Sequence, residues 1–348
     1  MGMVHNALGA LGARWVLIQL SEILTNIGIP YPLRILCYAA TAAAGLLALM
    51  WYYQESILYR PEVPTGVASS IKTPDQNPQG MRNPLECGMK YEELQLTAED
   101  GIKIHAWFIP AVQAARDRAP TLLFSHENAG NMGLRLQEFH LVHKHINCNL
   151  LLYDYRGYGY SQNAPINEAG LMRDARAAWK WLLEQHTRID TSKVVLYGRS
   201  LGGAVTIQLA RQLCDANAVD PKEPLPAGVI VGNTFTSISD LLGSIYPFLN
   251  HPLIKKHLLR LQWRSIDHLP HVRVPCLLFV GLKDEIVPCV HTANLRKAAT
   301  GAPRVDLRTV DDGTHNDTWL KAGPLYFQWL TEFLEAASNA SSEKTHAE

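Results

Sequence analysis

The chain has 348 residues, 47% of them hydrophobic and 18% charged, with 32 basic and 32 acidic side chains. That is an ordinary globular composition, long enough for one sizeable α/β core, and the balanced charge leaves no electrostatic footprint for nucleic acid. Six cysteines without paired spacing (Cys37, Cys87, Cys148, Cys214, Cys276, Cys289) outline neither a disulfide framework nor a metal site and read as small apolar side chains.

Residues 35–54 carry no charge, close on Trp51, Tyr52 and Tyr53, and are bounded by Arg34 and Glu55. That length crosses a bilayer core, and the closing aromatics suit the headgroup level. A cleaved signal peptide has a shorter apolar run behind a short basic start, and a core helix would fall inside the folded domain. Residues 1–60 therefore read as a membrane-anchoring region with one transmembrane helix. Residues 15–33 are apolar but interrupted by Glu22, Asn26 and Pro30, the pattern of an interfacial or partly inserted helix, with a second span as the alternative. Arg14 and Arg34 lie upstream of the span, against Glu55, Arg60, Glu62 and Lys72 beyond it. This weakly favours a cytosolic amino terminus, in a single-pass protein of the endoplasmic reticulum or another endomembrane. Asn316-Asp317-Thr318 is a glycosylation sequon, which a lumenal domain would have to leave unmodified.

Residues 61–83, rich in Pro, Gly, Ser and Thr, predict a linker, residues 84–336 the folded domain, and the polar residues 337–348 a disordered tail. The domain opens on two alternating strands, 91–96 and 103–108, around Glu99-Asp100-Gly101, the pattern of an antiparallel hairpin. Buried strands follow at 121–125, 150–153, 194–197, 228–232, 275–281 and 304–310. Between them Leu171, Ala175, Ala178 and Leu182 recur at helical spacing after the cap Asn167, and Leu201, Val205, Leu209 and Leu213 do so again. Alternating strands and helices predict an α/β fold: a mainly parallel central sheet covered by helices on both faces. Residues 215–227 read as a polar surface insertion.

Gly198-Arg199-Ser200-Leu201-Gly202 lies where the strand at 194–197 turns into a helix. Such a turn leaves no room for side chains on either side of the serine, projects its hydroxyl above the sheet edge and aims helix N–H groups at the same place. A serine needs a base, and the base an orienting acid. On a sheet of this kind they follow in the order Ser, Asp or Glu, His. Asp284 follows the strand at 275–281, with Glu285 as its neighbouring competitor. His315 lies in the turn after the last strand, whereas His251, His257, His268 and His271 precede Asp284 and His291 follows it too closely. Taken singly, Asp284 is a turn residue and His315 a solvated loop histidine; the order of the three loops is what favours the catalytic reading. The oxyanion hole is expected from the backbone N–H of Leu201 and, in the loop after 121–125, of Asn128.

Four stretches carry a resemblance: His126-Glu127-Asn128-Ala129-Gly130-Asn131, Asp154-Tyr155-Arg156-Gly157-Tyr158-Gly159, Gly198-Arg199-Ser200-Leu201-Gly202-Gly203, and 312–319. Over residues 82–334 the chain resembles the alpha/beta-hydrolase-domain-containing protein 13 family, which overlaps the budding-polarity hydrolases of fungi. The resemblance implies an alpha/beta-hydrolase fold, a Ser200/Asp284/His315 triad and one N-terminal membrane anchor. Many members have His-Gly where this chain has His126-Glu127. A glutamate there weakens the oxyanion hole unless its side chain turns away.

Residues 234–270 replace a short strand-to-strand connection and predict a short helical lid. Phe235, Tyr246 and Phe248 are its candidate acyl-pocket residues, with packing onto the core as the simpler role for most of its aromatics. Arg156, in a glycine-rich loop, reads as an architectural tie. His140, His143 and His145 lack a carboxylate or cysteine to complete a ligand set, so neither metal nor cofactor is expected. The sequence as a whole predicts a membrane-anchored serine hydrolase acting on a small-molecule or lipid-like ester, thioester or amide. A catalytically weak scaffold and a serine peptidase are the alternatives.

Overall fold

The computed structural model describes residues 15–16, 18–66, 69–112, 118–245, 251 and 259–347, in two compact units, one ending at Gln54 and the other beginning at Glu55. In the first, a helical run over 18–26 ends in a turn at Gly28 (φ 74°), and Pro30 then precedes the helix Tyr31–Tyr52. Proline at a helix start costs nothing, because its missing N–H would have had no intrahelical acceptor. The helix thus begins earlier than the uncharged run and includes Arg34. Its 22 residues bury none of their side chains, and at ~1.5 Å rise per residue they match a bilayer core of ~30 Å. Among the described residues this is the one helix long and apolar enough to cross a membrane.

The second unit is built on an eight-stranded sheet. In chain order its strands are β1 (Glu92–Thr97), β2 (Lys103–Ile109), β3 (Thr121–Ser125), β4 (Asn149–Tyr153), β5 (Val194–Arg199), β6 (Gly228–Gly232), β7 (Cys276–Gly281) and β8 (Val305–Val310). They lie side by side as β8-β7-β6-β5-β3-β4-β2-β1. The two β2 pairings are antiparallel and the others parallel. Residues of β3 to β7 are buried throughout, as expected of strands covered on both faces.

Side-chain alternation divides the core in two. Leu123, Leu196, Val231 and Leu278 pack with Leu171, Ala175, Val205 and Leu209 from the helices Glu168–Glu184 and Leu201–Val219. Phe124, Tyr197, Ile230 and Phe279 pack with Phe139, Val142, Leu330 and Phe333 from Leu136–Ile146 and Pro324–Ala347. Asn167 caps Glu168–Glu184 as expected, accepting from Gly170 N at 2.8 Å. Arg156 ties loops together: its guanidinium meets Asp174 at 2.8 Å and Asp100, in the β1–β2 turn, at 2.7 Å.

Three boundaries differ from the sequence reading. The described residues of 61–83, expected as a linker, pack into the second unit, so the predicted start at residue 84 is late. Val63–Pro64 pairs with Ser70–Ile71, Pro74–Gln76 forms a 3-10 turn, and Pro74 and Asn77 are buried. The side-chain amides of Asn77 and Asn131 bond reciprocally at 2.8 and 3.0 Å. Helix Pro324–Ala347 runs through the expected disordered tail, whose Ala, Glu and Lys residues favour a helix. Helix Leu201–Val219 likewise enters the expected insertion. Of the lid, helices Ile238–Ile245 and Ser265–His268 are described.

Candidate active site

The carboxyl end of β5 and the helix after it set the position of Ser200. Its backbone is held at φ 51° and ψ −119°, a conformation that L-residues resist and that marks a sharp strand-to-helix turn. The flanking glycines are forced by space. A Cβ on Gly198 would lie 2.1 Å from Gly202 O, and one on Gly202 would lie 1.9 Å from Ser125 O. Helix Leu201–Val219 therefore starts flush against the end of β3. Leu201 opens that helix, so its N–H is one of those that a helix leaves to an outside acceptor.

The three residues drawn from distant loops meet. Ser200 Oγ lies 3.0 Å from His315 Nε2, and His315 Nδ1 lies 2.8 Å from Asp284 Oδ2 and 3.0 Å from Oδ1. His315 and Asp284 are buried, while Ser200 keeps partial access to solvent. Glu285 is placed differently: its carboxylate accepts from the main-chain N–H of His315 at 3.2 Å, so the acid facing the imidazole is Asp284.

Asp284 is held from every side. Oδ1 accepts from the N–H groups of Ile286 (2.9 Å) and Val287 (2.7 Å), and Oδ2 from Asn233 Nδ2 at 2.7 Å. Burial pushes this carboxyl up, but its hydrogen bond and charge interaction with His315, then the Val287 N–H and the Asn233 amide, outweigh burial and hold it below 3.8. Sequence reasoning missed Asn233. It sits just past β6 at φ 48°, a left-handed position that asparagine tolerates better than most residues, and its place at the carboxyl end of a central strand was the available signal.

Glu127 is buried, with its charge balanced by cations. Its carboxylate pairs with Arg135 Nε at 2.7 Å and Arg199 Nη2 at 3.0 Å. Arg199 also meets Glu138 at 2.5 Å and reaches the main-chain oxygens of His315 (3.5 Å) and Asn316 (3.4 Å). Tyr197 and Tyr326 donate to Glu138 at 2.9 and 2.5 Å. One guanidinium thus joins the loop before Asn128, the turn at Ser200 and the loop of His315. Burial pushes the Glu127 carboxyl up, but the charges of Arg135 and Arg199 outweigh it, and the group sits below its ordinary 4.5.

A depressed folded-state pKa adds stability that is present above the unfolded value and lost as pH falls through the folded one. With Asp284 and Glu127 both depressed, the stability that these two carboxylates supply should hold down to about pH 4.5 and be lost steeply with further acidification, on top of a shallower loss from about pH 6.5 as the buried His126 imidazole, held low by desolvation, resists protonation. The Glu127→Gln variant should start lower and show a shallower acid decline. A wild-type midpoint unchanged down to about pH 3 would contradict this.

Asn128 follows β3 as expected, with its side chain directed to residues 58–60 and its carboxamide oxygen accepting from Tyr158 at 3.0 Å. Phe235 corrects the sequence reading. It is 3% exposed in the apolar core with Leu261 and Trp263, which leaves no surface for a ligand, so its role is packing. Tyr246 and Phe248 lie outside the described residues.

Known proteins agree with this architecture. The alpha/beta hydrolase fold family matches residues 144–263. The alpha/beta hydrolase domain-containing protein WAV2 of Arabidopsis thaliana is 34% identical, over 86% of this chain and 92% of its own length. Protein bem46 of Schizosaccharomyces pombe is 33% identical, over 85% and 91%. The membrane protein YNL320W of Saccharomyces cerevisiae is 32% identical, over 83% and 91%. The solved structure of the Pyrococcus furiosus esterase Pf2001, at 18% identity, superposes with a TM-score of 0.55 over 73% of this chain and 95% of that one. At such identity the match speaks for the fold alone. The sheet order, the glycine-flanked turn and the relatives at 32–34% identity lead to one conclusion: the chain belongs to the alpha/beta-hydrolase-domain-containing family of WAV2 and bem46.

Proposed function

We propose that the protein is a membrane-anchored serine hydrolase that cleaves an acyl ester, thioester or amide through an acyl-enzyme. The observation that carries this reading is the unbroken series Ser200 Oγ, His315 Nε2, His315 Nδ1, Asp284, with its two contacts at 3.0 and 2.8 Å.

In this mechanism Ser200 Oγ attacks the substrate carbonyl as His315 Nε2 takes its proton. Asp284 keeps the Nδ1 proton in place and stabilises the imidazolium that forms. The backbone N–H groups of Leu201 and Asn128 receive the negative charge on the carbonyl oxygen. His315 then gives its proton to the leaving alcohol, thiol or amine, and water repeats the sequence to release the acid. With Glu127 paired to two arginines, its charge does not oppose the oxyanion, which supports a working enzyme over an inert scaffold.

The helix Tyr31–Tyr52, together with the membrane description of the yeast relative, supports anchoring. We read the amino terminus as cytosolic and the compartment as an endomembrane, where a lipid-like acyl substrate is at hand. The test is hydrolysis of a p-nitrophenyl ester series of increasing acyl length by the full chain in detergent. Turnover that responds to acyl length, and is lost in Ser200→Ala, is expected. Equal rates from both proteins would remove the reading.

A further inference from the structure

Residues 55–60, which follow the apolar helix in sequence, reach the loop that carries Asn128. The Asn128 carboxamide is held on both sides: its nitrogen donates to Leu58 O, and its oxygen accepts from Arg60 N at 3.2 Å and Tyr158 Oη at 3.0 Å. Two residues on, Gly130 N donates to Arg60 O at 3.0 Å, and Arg60 and Ala129 form a parallel bridge. The clamp is itself fastened to the hydrolase unit, because Tyr59 is buried with its hydroxyl accepting from Trp263 Nε1 at 3.0 Å, and Glu55 pairs with Arg260. Only an amide fits this arrangement. A carboxylate could not donate to Leu58 O, and an apolar side chain would satisfy neither partner.

We infer that the Leu58–Arg60 main chain is a positioning element for the oxyanion hole, acting through the Asn128 side chain to fix the Asn128 N–H. The inference rests on the serine-hydrolase reading above. Oxyanion donors work by being preorganised, so a small displacement of one N–H is felt in the transition state and little in substrate binding. The main chain of this segment, read from the sequence as part of the membrane-anchoring region 1–60, then supports the reaction, while the exposed Arg60 side chain stays outside it.

The test compares Arg60→Ala with Arg60→Pro in the full chain. Alanine removes the exposed side chain and keeps the N–H; proline removes the N–H that holds Asn128. Tyr158→Phe, which deletes one hydroxyl and keeps the ring, covers the case in which Arg60→Pro does not fold. With active sites counted by fluorophosphonate titration, kcat of Arg60→Pro on a p-nitrophenyl ester should fall at least about tenfold, a fraction of the ~10²–10³ that one such donor supplies. KM should be unchanged, and Arg60→Ala should match wild type. Tyr158→Phe should lose about fivefold in kcat, the equivalent of one hydrogen bond. If per-site kcat is the same in Arg60→Pro, Tyr158→Phe and Arg60→Ala, the clamp is structural only and the inference is wrong. If wild type neither labels nor turns over ester, the serine-hydrolase reading falls and takes this one with it.

Discussion

Ser200→Ala should cut turnover by several orders of magnitude while leaving the fold intact. The substitution removes the attacking oxygen and the partner of His315 Nε2 at 3.0 Å, so the loss in kcat is expected to be on the order of 10⁴-fold or more, as for other members of a concerted triad. A residual rate above the uncatalysed one should survive, because the substitution leaves in place the main-chain N–H groups of Leu201 and Asn128, proposed above as oxyanion donors. Stability should change little, for a specific reason. The backbone at residue 200 is held at φ 51° by Gly198, Gly202 and the Ser200 N to Gly232 O bond of 3.0 Å, and alanine resists that conformation about as much as serine does. Thermal midpoints of the two proteins, read beside their turnover, separate loss of chemistry from loss of structure. A midpoint many degrees lower in the variant would show that the hydroxyl is structural.

Arg199→Met should produce the largest loss of stability among single substitutions near the site. The guanidinium is 4% exposed and faces two carboxylates, Glu127 and Glu138, that are 6% and 2% exposed. Removing the cation leaves Glu127 with Arg135 and Glu138 with only the hydroxyls of Tyr197 and Tyr326, and breaking a buried ion pair in this way costs about 3–5 kcal/mol. In a domain of this size each kcal/mol moves the midpoint by roughly 2–4 °C, so a fall on the order of 10 °C is expected. Activity should fall too, since the same side chain steadies the main-chain oxygens of His315 and Asn316. The variant should lose less when built on Glu127→Gly, because one of the stranded charges is then gone. Equal losses in both backgrounds would mean that Arg199 and Glu127 do not interact.

The sequence was most informative where local pattern and chemistry coincide. Continuous apolar runs gave the buried strands to within a residue or two, and the paired glycines around Ser200 declared a turn that nothing larger could make. Asp284 and His315 were legible because each follows a strand, and the carboxyl ends of parallel strands converge on one edge. The supports of these residues were not legible. Asn233 bonds Asp284 across 51 positions, Arg199 meets Glu138 across 61, and Asn128 meets Leu58 across 70. No periodicity encodes such pairs, since they depend on how loops from separate strands end. Composition misled at residues 61–83 for a related reason. Proline, glycine and asparagine mark the lack of a regular element, yet Pro74 and Asn77 are buried there, so irregular chain is not loose chain. Phe235 shows the converse: an aromatic in a connecting segment suggested a ligand surface, and the core had already taken it.

The most direct measurement is covalent capture of Ser200. The full chain in detergent, treated with a fluorophosphonate and digested, should carry the phosphonyl group on the peptide containing Ser200. Ser200→Ala and His315→Ala should remain unmodified, the second because its hydroxyl has lost the base that takes its proton. Wild-type protein that stays unmodified at Ser200, or labelling that survives the loss of His315 undiminished, would contradict the account.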